Sequence, residues 1–278
     1  FNLGERQMSI SLSSAASAVF DAEVKHAFQT AGKLRSAVRL RTGVVGDTYN
    51  FRTMGKGLAN QKASQTDVTP MDITHAKVAA TLQNWVAGEY TDVFDAQEVN
   101  FDERRELAET IAGAMGRRAD QLILDALSAG STIVHGSAGL TVTKIVAAAK
   151  TLNDNGVPSS DRILLTSAEG IADLMAVEQV TSSDYSTLRA LMSGEINTYM
   201  GFNVVMMETR AEGGLAKAST TRDCFAFHKS SIGCAIGLDI STEVNYIPEK
   251  TSWLSLGKYK AGAVTIDTAG IVKVEITE

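Results

Sequence analysis

With 278 residues, 44% of them hydrophobic and 21% charged, the chain has the apolar content for a sizeable core, which excludes a disordered or a collagen-like protein. A formal charge of −6 argues against a protein built to coat nucleic-acid phosphates, and two cysteines, Cys224 and Cys234, are too few for a disulfide framework, so a reducing cytoplasm is the default compartment. No apolar run approaches the ~20 residues that span a bilayer and the N-terminal stretch lacks a secretory pattern, so neither membrane insertion nor secretion is expected.

Residues 1–24 are rich in Ser and Ala, with few large apolar groups (Ile10, Leu12, Val19, Phe20), and read as an arm ordered only by docking onto something else. Residues 21–41 can continue as a short basic helix carrying Val24, Phe28, Ala31 and Leu34. Residues 48–54 alternate as a strand, and residues 73–85 form a second, mostly extended segment with Val78, Leu82 and Trp85. Between the two lies a polar stretch, residues 55–70, almost without large apolar groups. An isolated two-stranded ribbon is marginal in water, so this one must lie on another surface.

Asn100 or Asp102 can cap a helix that Gly130 stops, with Asp102, Glu103 and Glu106 at its positive end. From residue 101 to 128 it spans roughly 42 Å at 1.5 Å per residue. Leu107, Ile111, Met115, Leu122 and Ala126 trace its core face, interrupted at Arg117 and Arg118. On that reading, Leu122→Asp should cost several kcal/mol. Further on, residues 141–152 read as a helix, 163–166 as a buried strand, and Ser167 as the cap of a helix reaching Met175. Strands are expected at 202–208, 224–227, 240–246, 253–264 and 271–276, with a small-residue helix around 231–236.

Charge is unevenly placed. Residues 1–62 carry nine basic and four acidic side chains, and residues 63–128 five basic and twelve acidic. This is either a solvated surface of uneven charge or complementarity between subunits. The candidate inter-subunit contacts are Arg35, Arg39, Arg52, Lys56 and Lys62 on one side and Asp92, Asp95, Glu98, Asp102 and Glu103 on the other. None of H-E-x-x-H, G-x-S-x-G or the phosphate-binding G-x-x-x-x-G-K-[ST] occurs. Cys224, His228 and Cys234 fit no standard zinc spacing, and buried structural cysteines are the simpler reading. No catalytic residue, metal or cofactor is expected.

The order of elements (arm, long hairpin with a polar tip, long amphipathic helix, then an α/β region closing on strands) resembles the major capsid protein of tailed bacteriophages, an α+β chain of the Hong Kong 97-type fold. Residues 90–110 (YTDVFDAQEVNFDERRELAET) and 117–127 (RRADQLILDAL) look most like the family's spine helix and its approach. Mapped onto this chain, the family's parts are an N-arm at 1–41, the E-loop with its flanking strands at 42–90, a P-domain with the spine helix at 91–139, an A-domain at 140–225, and returning strands at 226–278. The resemblance implies a virion subunit, assembled in the host cytoplasm, whose hexamers and pentamers enclose double-stranded DNA without sequence-specific binding and without a membrane. It also implies a separate scaffolding protein, a portal and a decoration protein as partners. An encapsulin-like shell around cargo enzymes and a cytosolic α/β enzyme are the alternatives.

Overall fold

The computed structural model describes residues 32–94, 103–133, 138–176 and 198–278. The expected arm, most of the expected basic helix, and the carboxylates Asp95, Glu98 and Asp102 lie outside the described residues.

The described residues form two larger sheets and a two-stranded ribbon. The first has the order β1-β11-β12-β4, from β1 (Arg39–Arg41), β4 (Gln83–Asp92), β11 (Ile232–Ile247) and β12 (Ser252–Thr265). The second has the order β5-β13-β10-β6-β8-β7, with β9 also on β10. Its members are β5 (Ser131–Ile133), β6 (Arg162–Thr166), β7 (Thr198–Tyr199), β8 (Phe202–Met206), β9 (Lys217–Ala218), β10 (Thr221–His228) and β13 (Ile271–Thr277). β2 (Thr48–Met54) and β3 (His75–Thr81) pair antiparallel as a separate ribbon. The helices are α1 (Glu103–Leu127), α2 (Val142–Asp154) and α3 (Ala168–Ala176).

β6 carries Ile163, Leu164 and Leu165 in direct succession and is buried along its whole length, as a strand covered on both faces must be. α3 begins where Ser167 Oγ accepts the Gly170 N–H at 3.2 Å, the cap that its sequence announces.

α1 lies along the first sheet, with its fully packed row at Ile111, Met115, Ala119, Ile123 and Leu127. Ile111 meets Gly257 of β12, where only a missing side chain lets helix and strand come so close. Leu107 is half-buried. Leu122 and Ala126 are half-buried at the border of the core, because the row that starts at Ile111 and Met115 continues at four-residue steps through Ala119 and Ile123. Arg118 does not break the packing. Its guanidinium lies 3.6 Å from the ring centre of Trp85 on β4. Leu122→Asp therefore costs less than a full burial implies: about 1–2 kcal/mol, seen as a modest fall in melting temperature. A loss of folded protein in that variant would place Leu122 in the core after all.

Two elements differ from expectation. The small-residue stretch at 231–236 is not a helix; a 3-10 turn at Lys229–Ser231 leads straight into β11. Ile232, Gly233, Cys234, Ala235 and Ile236 are buried on both faces of that strand, which removes the alternation that normally marks one. The extended segment at 73–85 breaks at Leu82, whose N–H donates to the Asp47 carbonyl, so the ribbon and the first sheet are separate units. Likewise, the described part of the basic stretch is a 3-10 turn at Leu34–Ala37 followed by β1, parallel to β11.

Candidate assembly surfaces

The ribbon stands on the far end of the first sheet. Its inner row buries Phe51, Ala80 and Leu82 against Ala235, making a small core separate from the main one. A Cβ on Gly233 would lie 2.6 Å from the Phe51 ring, and one on Gly262 would fall inside the contact radius of the Thr81 carbonyl oxygen. At Gly262 ribbon backbone and sheet backbone meet without an intervening side chain, whereas at Gly233 the Phe51 ring packs on the bare sheet backbone. Tyr49 and Phe51 pack edge to face at 4.9 Å, and the guanidinium groups of Arg39 and Arg41 each lie 5.9 Å from one of these ring centres. The lower half of the hairpin thus has a seat within its own chain, which the sequence did not suggest.

The upper half has none among the described residues. Every residue from 54 to 72 is exposed, including Leu58 at 81% and Val68 at 74%, with Met54 and Met71 beside them. Lys56 Nζ donates to the Asn155 carbonyl, 3.1 Å away, at the C-terminal end of α2, where backbone carbonyls attract a cation. Lys62 is exposed.

The other sequence-nominated residues are scattered. Arg35 already holds Asp239 with both guanidinium nitrogens, at 2.8 and 2.6 Å, and this hydrogen-bonded pairing keeps the Asp239 carboxyl below the usual carboxylate range. Arg39 and Arg52 are exposed at the ribbon end, and Asp92 ends β4 at the opposite end of the sheet. Glu103 begins α1. Among the described residues, no ion pair joins a nominated cation to a nominated carboxylate.

One polar centre was not foreseen. Asp120, fully buried on α1, accepts the backbone N–H of Lys33 (3.0 Å) and Leu34 (3.0 Å) and a guanidinium hydrogen from Arg210 (3.1 Å). Arg210 also donates to the Gly213 carbonyl, while the Gly213 N–H donates to Gln121 Oε1. Burial pushes the Asp120 carboxyl above its ordinary pKa, opposed by those three donors. The carboxylate therefore ties the described root of the N-terminal segment, the long helix and the loop after β8 to one point. The sequence signal was an Asp inside an apolar helical run, between Ala119 and Ile123.

Cys224 and Cys234 are both buried thiols in different sheets, pushed by desolvation up to about 11, well clear of the reactive thiolate range. Among the described residues no three His, Cys, Asp or Glu side chains converge on a common point. No described helix is long and apolar enough to cross a membrane.

Residues 12–278 match the family model described as phage capsid protein. Similar solved structures include the capsid of the cyanophage P-SCSP1u, 16% identical with a TM-score of 0.74 over 94% of this chain and 93% of that one. The head of the Helicobacter pylori bacteriophage KHP40 is 11% identical, with a TM-score of 0.74 over 98% of each chain. Mycobacterium phage Che8 gives 16% identity and a TM-score of 0.71 over 92% of this chain and 96% of that one. No curated protein matches.

Proposed function

Because the chain belongs to the phage capsid protein family, we propose that its copies form hexamers and pentamers that close a head around double-stranded DNA. The chain is a structural subunit of an icosahedral phage head, with the Hong Kong 97-type fold and a place in the virion. Neither the cargo-enclosing shell nor the α/β enzyme is favoured by this match.

The observation that carries the assembly reading is the exposed loop at 54–72. Four large apolar side chains, Met54, Leu58, Val68 and Met71, face water on a segment held to the body, among the described residues, by the ribbon's inner row and the single Lys56–Asn155 hydrogen bond. Ordering each of its residues costs about 1–2 kcal/mol of backbone entropy, which burial against a neighbouring copy offsets. In the same reading the N-arm, E-loop, P-domain and A-domain follow the boundaries mapped from the sequence, the shell wall has no catalytic role, and a separate scaffolding protein, a portal and a decoration protein complete the head. Assembly takes place in the host cytoplasm. A net negative wall holds packaged DNA without gripping it.

Lys56 and Lys62 test the loop. Reversing both to Glu should keep the subunit folded with only a small fall in melting temperature, since both are exposed and one exposed hydrogen bond, Lys56 to the Asn155 carbonyl, is lost, and should lower the yield of closed particles at low salt. Raising the ionic strength should recover part of that yield. Unfolding of the double variant would make the loop part of the subunit's own core, and normal particle yield at low salt would show that its contact is not electrostatic.

A further inference from the structure

α2 ends on Asn153-Asp154-Asn155-Gly156, the one place in the 278 residues where an asparagine precedes a glycine. In a free chain that pair is chemically unstable. The backbone nitrogen after an asparagine can attack the side-chain Cγ, and glycine, which has no Cβ, hinders the attack least. The fold calls for both residues all the same. Gly156 takes φ +73°, the left-handed position that follows a helix, and donates its N–H to the Asn153 carbonyl (2.9 Å), while the Val157 N–H donates to the Leu152 carbonyl (3.0 Å). Asn155 donates its side-chain amide to the Ala269 carbonyl (2.7 Å), in the 3-10 turn Thr268–Gly270 that links β12 of the first sheet to β13 of the second.

The geometry of the turn holds the reaction off. Closing the five-membered ring requires the Gly156 nitrogen to eclipse the Asn155 Cβ, whereas at ψ −7° it eclipses the Asn155 nitrogen, about a third of a full rotation away. The attacking N–H is engaged with Asn153, and the departing amide with Ala269. The Asn155 backbone is pinned as well: its N–H donates to the Thr151 carbonyl (3.1 Å) and its carbonyl accepts from Lys56 Nζ (3.1 Å). Arg162, buried on β6, grips the residues on either side. Its Nε donates to the Pro158 carbonyl (2.8 Å), and Nη2 donates to Asn153 Oδ1 (2.7 Å) and the Val157 carbonyl (2.6 Å). Asn155 is half-buried and Gly156 exposed, so water reaches the pair once the turn rotates.

We propose that Asn155–Gly156 is a self-modification site that the fold withholds, with Arg162 as its clamp, and that it reacts only in subunits whose α2 end has opened. In the open turn the Gly156 nitrogen loses its proton and bonds Cγ, the side-chain nitrogen leaves as ammonia, and a succinimide ring forms. Water then adds to either ring carbonyl and opens the ring, leaving aspartate or isoaspartate at position 155. The product cannot rebuild the turn. A carboxylate in place of the amide donor leaves the Ala269 carbonyl facing an acceptor, and isoaspartate adds a methylene to a backbone fixed on both sides. The reaction is therefore a one-way mark of opening, and it removes a tie between α2 and the crossing from one sheet to the other.

Mass spectrometry of the peptide containing position 155 tests the site, with the full chain held folded or in urea at mildly alkaline pH. The unfolded chain should convert Asn155 to both aspartate and isoaspartate. The folded chain should do so about tenfold or more slowly, since only its open fraction reacts. Arg162→Met leaves the reacting pair untouched and should raise the folded-state rate about tenfold, as the loss of three hydrogen bonds from one charged group implies. If that variant does not fold, Arg162→Lys, which keeps the charge with a shorter reach, should still raise the rate by a smaller factor. Equal rates in the folded and unfolded chain overturn the withholding, and aspartate without isoaspartate overturns the ring. A folded Arg162 variant that reacts no faster than the unmodified chain overturns the clamp.

Discussion

Asp120→Ala is expected to lower the melting temperature of the subunit by about 6–12 °C. The substitution removes the acceptor of two backbone N–H groups and of one guanidinium hydrogen in a site with no exposure. Breaking a buried pair by deleting one partner costs about 3–5 kcal/mol. The lower end applies here, because Arg210 keeps Glu208 at 3.6 Å and the Gly213 carbonyl. At about 2–4 °C per kcal/mol for a chain of this size, a loss of about 3 kcal/mol gives the stated range. Asp120→Asn retains an acceptor oxygen and should lose about half as much. The loss should also be local. Amide exchange at Lys33 and Leu34 should rise far more than exchange in β6, because the former depend on Asp120 and the latter lie in the sheet core. Equal melting temperatures for the unmodified chain and Asp120→Ala would mean that the arm root is held by Leu34 burial alone.

Gly262→Ala is the second large effect, and its readout is assembly as well as stability. The added methyl meets the carbonyl oxygen and carbonyl carbon of Thr81, which are backbone atoms and cannot rotate aside. Overpacking of this kind costs about 1–3 kcal/mol, and a backbone obstacle places it at the upper end. The ribbon should lift from the sheet, so proteolysis within residues 48–81 should accelerate and particle yield should collapse while the second sheet stays folded. Gly233→Ala offers the contrast. Its obstacle is chiefly the Phe51 ring at 2.6–2.7 Å, a side chain that can turn, so its cost should be nearer 1 kcal/mol. Equal effects from the two substitutions would show that the ribbon is not seated where the backbones touch.

The parts legible in the sequence were those dominated by one local signal. α1 announced itself through apolar spacing and Gly130, β2 through alternation, and α3 through the Ser167 cap, because each pattern reports its own element's burial. Where burial comes from both sides, the pattern vanishes. The stretch from Ile232 to Ile236 is apolar at every position and small at three, which fits a helix as well as a doubly covered strand. The break at Leu82 rests on one hydrogen bond to Asp47, thirty-five positions away, and no local feature marks it. Lys144 gave no signal either: it is fully buried on α2, with its ammonium donating to the carbonyls of Ala138 (2.7 Å) and Glu275 (2.9 Å), and backbone carbonyl acceptors leave no trace in the residue types around it. The candidate surfaces were half legible. Their charge imbalance is a property of composition, but the location of Lys77 opposite Arg52 needed the strand register.

The central claim is that the exposed loop at 54–72 is completed by another copy of the chain. Electron cryo-microscopy of the particles formed by the full-length chain tests it most directly. The account predicts closed shells in which that loop, with Leu58 and Val68, lies buried on the adjacent subunit. A chain that stays monomeric at every concentration, or a closed shell in which residues 54–72 touch no neighbour, would contradict it.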